Sequence, residues 1–532
     1  MSHAYRWLLS LCAVALVAGT VRATDAAERV LHRANTDDPT TIDPHRVAYP
    51  GETTIMSDLF VGLTALDAAA KPAPGLAESW TVSPDARRWI FKLRPNIKWS
   101  DGAPITAAEI VWSLRRALDP ATAFPLAGRL FAIKNARAVA TGKLSPTELG
   151  VSRSDARTVI IELEHPTPYL AEILATFGVP VPKARIERFG ADWIKPGNFA
   201  NSGPFTLDRW SPNSSMRLQK NLNFFDAAHV NLDAVVHYPV SQPTTALRRF
   251  AAGEFDLMLA VPPDQLDWVR RNVPQALRAS PAMGVEVVAF NTRSGPTNDR
   301  RVRRALSMAL DREALARSIL GDARLAAWNF VSPVTSNYGR GALPDFHDWP
   351  LAQRRTEARR LLEEAGFGPS KPLAIRLSFP ANDFNKRIAV VVDAMWRQVG
   401  VRARLDSKEQ RSLTASVVSG EFDSVRQLWL AGYSDPLAFL ERFDGAAAGT
   451  TVNPSGYHNP RYDALLREAD GAVDPAERMA LLRSAEAIVV ADQPAIPIYF
   501  FVSRRLVSPQ LTGWTDNPRG IHLSRYLSVP AR

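Results

Sequence analysis

The sequence predicts an α/β protein built in two lobes, and two observations predict it. Short helical and strand patterns intermix along all 532 residues, with 40 prolines punctuating the loops and no low-complexity tract. Two distant segments also echo one another, "LRRFAAGEFDLMLA" at 247–260 and "TASVVSGEFDSVRQLWLA" at 414–431. Each reads helix, glycine, Glu-Phe-Asp, strand, with Gly253 and Gly420 where a helix C-terminus takes a residue of positive φ. Two-lobed α/β proteins bind ligands beyond the carboxyl ends of their strands, in the crevice between lobes. The loop Ala431 to Ser434, after the second strand, should therefore face that crevice.

The chain opens with a basic residue, Arg6, an apolar run from Trp7 to Val21, and small residues at Val21 and Ala23. This pattern predicts a cleaved signal peptide over residues 1–23, export, and a mature chain starting near Thr24. The run is shorter than the roughly 20 residues a spanning helix needs, and no later stretch qualifies. The only cysteine, Cys12, lies in the run and follows Leu11, where a lipoprotein signal carries a small residue. A freely diffusing periplasmic protein is expected, without a disulfide or a thiolate metal site.

The formal charge is +10; removing residues 1–23, which hold Arg6 and Arg22 and no acid, leaves 62 basic against 54 acidic residues, or +8. A basic balance fits nucleic acid, an anionic membrane face or an acidic ligand. The densest cluster, "NDRRVRRALSMALDREALARSIL", favours none of them. Asp299 caps a helix whose Val302, Ala305, Leu306, Ala309 and Leu310 form one apolar face, which leaves Arg300, Arg301, Arg303 and Arg304 on a solvated one.

Another helix start is marked in "SDGAPITAAEIVWSLRRALDP", where Thr106 and Glu109 form a capping box and Ile110, Leu114 and Leu118 an apolar stripe ended by Pro120. Catalytic patterns are missing: no G-x-S-x-G, no H-E-x-x-H, no phosphate loop around Gly142-Lys143, and nine scattered histidines. Asp43-Pro44-His45 reads as the start of a turn. A binding protein is expected rather than an enzyme. A secreted hydrolase and an exported chaperone or adhesin remain as rivals, separable by turnover of peptides and by closure upon a small ligand.

One block, "LFVGLTALDAAAKPAPGLAESWTVSPDARRWIFKLRPNIKWSDGAPITAAEIVWSLRRALDP", resembles the signature region of the family 5 extracellular solute-binding proteins, the peptide and oligopeptide receptors of ABC importers. Further blocks agree in order: "TIDPH" at 41–45, "ANSGPFTLDRW" at 200–210, "FNTRSGPTNDRRVRRALSMALDR" at 290–312, "ARRLLEEAGF" at 358–367, "GEFDSVRQLWLAGYSDP" at 420–436 and "AIPIYFFVSRRLV" at 495–507. The resemblance implies a two-lobed Venus-flytrap fold with an additional inserted domain and two hinge crossover strands. Lobe I would comprise 24–60, 186–283 and 500–532, the inserted domain 61–185, and lobe II 284–499. It also implies a monomer without cofactor or metal that binds no nucleic acid and delivers its ligand to a membrane permease driven by ATPase subunits.

In these receptors an extended peptide is held by main-chain hydrogen bonds while its side chains enter water-filled pockets. By resemblance, the backbone contacts fall on Ala48, Tyr49 and Pro50 from one lobe and on Leu428 and Leu430 from the other. Trp429 would wall a side-chain pocket, Arg426 would meet a peptide carboxylate, and Gly432 and Tyr433 would complete the site. Asp435 and Pro436 read as the cap and first residue of a helix over "PLAFLERF". The oligopeptide receptors place at Gly432 an aspartate that pairs with the ligand's free amino group. Three explanations of its absence follow: a ligand with no free amino group, replacement by Glu286 or Asp435, or a shifted register in this loop. The first predicts weak binding of unmodified peptides, restored by Gly432→Asp.

Overall fold

The computed structural model describes residues 27–47, 50–321 and 325–532; the signal segment, Cys12, Ala48 and Tyr49 lie outside them. Strand β1 (Val30–Asn35) leads into a helix over Pro50–Leu59. Strands β2 (Thr64–Leu66) and β3 (Pro72–Pro74) form a small hairpin. Strands β4 (Ala77–Val82), β5 (Arg88–Leu93), β6 (Val151–Asp155) and β7 (Thr158–Glu162) form an antiparallel sheet in the order β4-β5-β7-β6. In β5 the burial alternates residue by residue, with Trp89, Phe91 and Leu93 inward and Arg88, Ile90 and Lys92 outward. This is the period of a strand with one wet face. The Ala107–Leu118 helix contacts β6 and β7 and buries Ile110, Leu114 and Leu118. Its capping box is formed: Thr106 accepts from the Glu109 amide and Glu109 from the Thr106 amide.

The remaining strands are β8 (Phe205–Ser211), β9 (Ser215–Lys220), β10 (Ala234–Pro239), β11 (Leu257–Met258), β12 (Leu277–Phe290), β13 (Ala374–Pro380), β14 (Arg402–Lys408), β15 (Ser424–Leu430) and β16 (Ala495–Val507). With β1 they make one ten-stranded sheet in the order β14-β13-β15-β12-β16-β11-β1-β10-β9-β8. The long pair β12 and β16 runs through its centre, antiparallel, with register shifts between Pro281 and Val285 and between Glu286 and Val287. Bulges of this kind bend and twist a strand, so the pair that joins the two halves is also where the sheet turns.

The echo between the two Gly-Glu-Phe-Asp segments is a symmetry of this sheet. β11 pairs antiparallel with β16 and parallel with β1, while β15 pairs antiparallel with β12 and parallel with β13. Gly253 and Gly420 both take φ +80°, Gly420 directly after its helix and Gly253 one residue further on. The first strand is only two residues long, Leu257 and Met258, and the run after it ends at Pro262 and Pro263. The chain therefore folds as two α/β lobes about a shared crossover pair, with a further sheet inserted after the first strand.

The arginine-rich helix corrects the sequence reading at one position. Arg303 is buried, and its guanidinium donates to the carbonyls of Thr297, Asn298, Asp492 and Gln493. Those last two carbonyls close the helix Pro475–Asp492, whose end offers unpaired acceptors that a cation satisfies. Arg300 and Arg301 remain exposed as expected, and Arg304 is half-buried on Asp345. Asp43, Pro44 and His45 form the expected turn, with Asp43 paired to Arg116 and His45 held neutral by burial, its pKa down to about 4.

Candidate functional site

Along β15 the sheet offers an open edge. β12 pairs the strand through Leu430, but β13 pairs it only at Ser424 and Val425, so Arg426 to Leu430 carry no ladder partner on that side among the described residues. Two cavities adjoin this stretch. The smaller, about 360 Å³, is lined by Arg426, Gln427, Leu428, Trp429 and Arg442, with Leu413 and Thr414 across from them. The larger, about 500 Å³, begins at Leu430, Ala431 and Gly432 and is closed chiefly by residues of the N-terminal segment, the inserted region and the C-terminal segment.

The larger cavity lies between the lobes. Thr53, Ser57, Phe60 and Val61 come from the first helix and the turn after it, Leu126 and Arg129 and then Ala175 to Phe177 from the inserted region, and Arg519 to Leu523 from the C-terminal segment. Five arginines line it, Arg33, Arg129, Arg505, Arg519 and Arg525, and no aspartate or glutamate does among the described residues. Sequence reading singled out none of these arginines; nothing local marks them.

Several bonds cross the seam beside the cavity. Arg519 Nη2 donates to the Gly432 carbonyl at 2.9 Å, and the Ser434 amide donates to Glu172 at 2.8 Å. Tyr169 and Tyr433 stack with ring centroids 4.2 Å apart, and Arg129 meets Glu441 at 3.3 Å. Burial pushes the Glu441 carboxyl up while Arg129 pulls it back. These contacts link the inserted region and the C-terminal segment to the loop after β15.

The residues expected from the sequence divide accordingly. Leu430 and Gly432 line the larger cavity, and Arg426, Leu428 and Trp429 the smaller. Trp429 is buried against Phe330 and Phe443, with Arg442 over its ring, so it serves the core and the cavity together. Arg426 is not free for a carboxylate: it is buried in an ion pair with Glu286. Tyr433 lines neither cavity, because its ring is spent on the stack with Tyr169 and its hydroxyl on Glu441. Pro50 opens the first helix.

The expected replacements for an amino-group anchor are likewise engaged. Asp435 accepts from the Leu437 amide, as a cap should, and takes two bonds from the buried Arg478 at 2.6 and 3.0 Å. The helix it starts is short, Leu437–Leu440, and continues as a tighter turn to Phe443. Glu286 is held by Arg426 and Tyr499. At Gly432 itself, a Cβ would stand 3.6–3.8 Å from three guanidinium atoms of Arg129. The position therefore faces a cation.

A two-lobed α/β sheet, a crossover pair and a cleft along an open strand edge define a solute receptor. The sequence profile of the bacterial extracellular solute-binding proteins, family 5 Middle, matches residues 71–451, and the chain belongs to that family. It is 34% identical to the periplasmic murein peptide-binding protein of Escherichia coli over 95% of this chain and 94% of that one. It is also 34% identical to a protein of the same organism named as a probable deoxycholate-binding periplasmic protein, over 99% of this chain and 98% of that one. The crystal structure of the Haemophilus influenzae oligopeptide-binding protein in complex with RPPGFSPFR superposes with a TM-score of 0.82 at 28% identity, over 94% of this chain and 99% of that one.

Proposed function

We propose that the chain is the periplasmic receptor of an ABC importer and captures peptides or peptide-like solutes between its lobes. Residues 24–60, 186–283 and 500–532 act as one lobe, 61–185 as the inserted domain and 284–499 as the lobe that swings about β12 and β16. The open edge of β15 carries this reading, since an extended main chain laid beside Arg426 to Leu430 would complete a ladder that β13 leaves at Val425. The two cavities beside that edge give room for side chains of differing shape, bridged by water. The murein peptide and oligopeptide relatives support a peptide-like cargo. Among the described residues no helix is long and apolar enough to cross a membrane, and no cluster of His, Cys, Asp and Glu has the make-up of a metal site. The receptor works as a monomer, hydrolyses nothing, and hands its ligand in the closed form to a permease whose ATPase subunits supply the energy.

A second reading, a ligand without a free amino group, draws support from Gly432. An ammonium there would meet Arg129 rather than a carboxylate, and burying it unpaired costs several kcal/mol. The deciding experiment is native purification followed by mass spectrometry of the solute released on denaturation. A peptide or acylated peptide supports the proposal; peptide turnover by the purified protein, or broad capture of unfolded chains without a bound small solute, overturns it.

A further inference from the structure

We propose that the end of the cleft at Gly432 is an anion-binding subsite, which takes a carboxylate or comparable anionic group on the bound solute; the assignment rests on the receptor reading above. Two arginines from different parts of the chain converge on this glycine. Arg129 faces the position a Cβ would occupy, and Arg519 donates to the glycine carbonyl. Arg33, Arg505 and Arg525 continue the same wall.

The charges behind the wall do not balance it. Arg33 has Asp58 at 3.6 Å, Arg129 has Glu441 and Arg519 has Glu172, and all three acids stand outside the cavity lining. Arg505 and Arg525 have no carboxylate within ion-pair distance among the described residues. Arg505 bonds Ser503 and the Gly520 carbonyl, and Arg525 bonds the Leu66 carbonyl and the Tyr526 hydroxyl. Asp58 is further shared with His237.

Arg33, Arg525 and His522 are more than nine-tenths buried, so the wall is held in place by its surroundings, and the lining presents guanidinium groups without a carboxylate among the described residues. A guanidinium offers five N–H donors and no acceptor, so such a wall is completed by oxygen acceptors carrying negative charge. Burial lowers Arg505 to about 10, which leaves it cationic at neutral pH, and lowers His522 to about 3, which leaves it neutral. A net cationic wall in a cavity that also presents Phe60, Leu126 and Phe177 suits a solute with an anionic end and an apolar or peptide body.

The test uses the full mature chain, freed of solute, and three probes: N-succinyl-trialanine amide, N-acetyl-trialanine amide and trialanine amide, which are anionic, neutral and cationic at the amino end. Calorimetry should rank them in that order, with the succinyl compound preferred over the acetyl by about tenfold or more. That preference should shrink to about threefold or less in Arg505→Gln and in Arg525→Gln. Because the readout is a ratio within one protein, a general loss of stability in either variant cancels, and a thermal melt confirms folding. Equal binding of the three probes, or tighter binding of the cationic one, overturns the anion subsite and leaves the receptor reading standing. If none binds, the solute released from natively purified protein decides: an anionic one supports the subsite, a neutral or cationic one overturns it. Release of no solute then overturns both readings.

Discussion

Tyr169 of the inserted region and Tyr433 of the loop after β15 stack 4.2 Å apart at an angle of 14°, both rings buried. The pair lies beside the Ser434 to Glu172 bond and joins the inserted region to the loop after β15, so under the proposed closing of the lobes it would help to hold the closed form. An aromatic pair is worth about 0.5–1.5 kcal/mol beyond its burial. Tyr433→Ala should therefore weaken ligand binding by about two- to tenfold, chiefly through faster release, and should expand the liganded molecule in small-angle scattering. Unchanged release and unchanged dimensions would show that the stack plays no part in closure.

Gly432 and Arg129 should be energetically coupled. A carboxylate introduced by Gly432→Asp would meet the Arg129 guanidinium before it met any ligand. The single variant should then gain little affinity for unmodified trialanine, whereas the same change in an Arg129→Gln background should gain about tenfold. Calorimetry on the four proteins of this cycle measures the coupling, and an equal gain in both backgrounds would place Arg129 out of reach. The wild-type chain should bind unmodified tri- to pentapeptides more weakly than micromolar.

Much of the frame was legible because its signals are local. The Thr106 and Glu109 box and the glycines after two helices each follow from a few adjacent residues. The echo around Gly253 and Gly420 reported a true symmetry, because the same helix-to-strand step is used on both sides of the crossover pair. Arg303 was misplaced because its partners, the last carbonyls of a helix ending at Asp492, are distant in sequence. The cleft arginines were invisible for the same reason: Arg33 and Arg525 come from opposite ends of the chain and line one cavity only once it has folded. Resemblance put Tyr433 and Arg426 among the ligand contacts from their place in a motif, whereas the partners that hold them, Tyr169 and Glu286, lie far away in sequence.

Asp435 and Arg478 form a buried pair, 5% and 3% exposed, that fixes the turn after the cleft loop. Removing one partner strands the other charge, which costs about 3–5 kcal/mol. Arg478→Met should lower the urea-unfolding free energy by about that amount, and Asp435→Asn should do so as well, because the amide still accepts a hydrogen bond but leaves the buried guanidinium without a counter-charge. A loss below about 1 kcal/mol for Arg478→Met would mean that water reaches Asp435.

Glu286 is the titrating group to watch in the crossover strands. It sits at the second register shift of β12, 1% exposed, between Arg426 and the Tyr499 hydroxyl. Burial pushes its carboxyl up to about 7, against the pull of Arg426 and of the hydrogen bonds. A carboxyl raised in the folded state binds its proton more tightly there than in the unfolded chain. Its contribution is therefore fully present below the unfolded value of 4.5 and is lost as pH rises through about 7. Between pH 5 and 8 the unfolding free energy of the wild type should fall relative to that of Glu286→Gln by up to about 3 kcal/mol. Glu286→Gln mimics the protonated carboxyl, so the two proteins should be close in stability at low pH, and the gap should open in favour of the variant as pH rises and the wild-type carboxyl ionises. Parallel pH profiles for the two proteins would show that Arg426 keeps Glu286 ionised throughout.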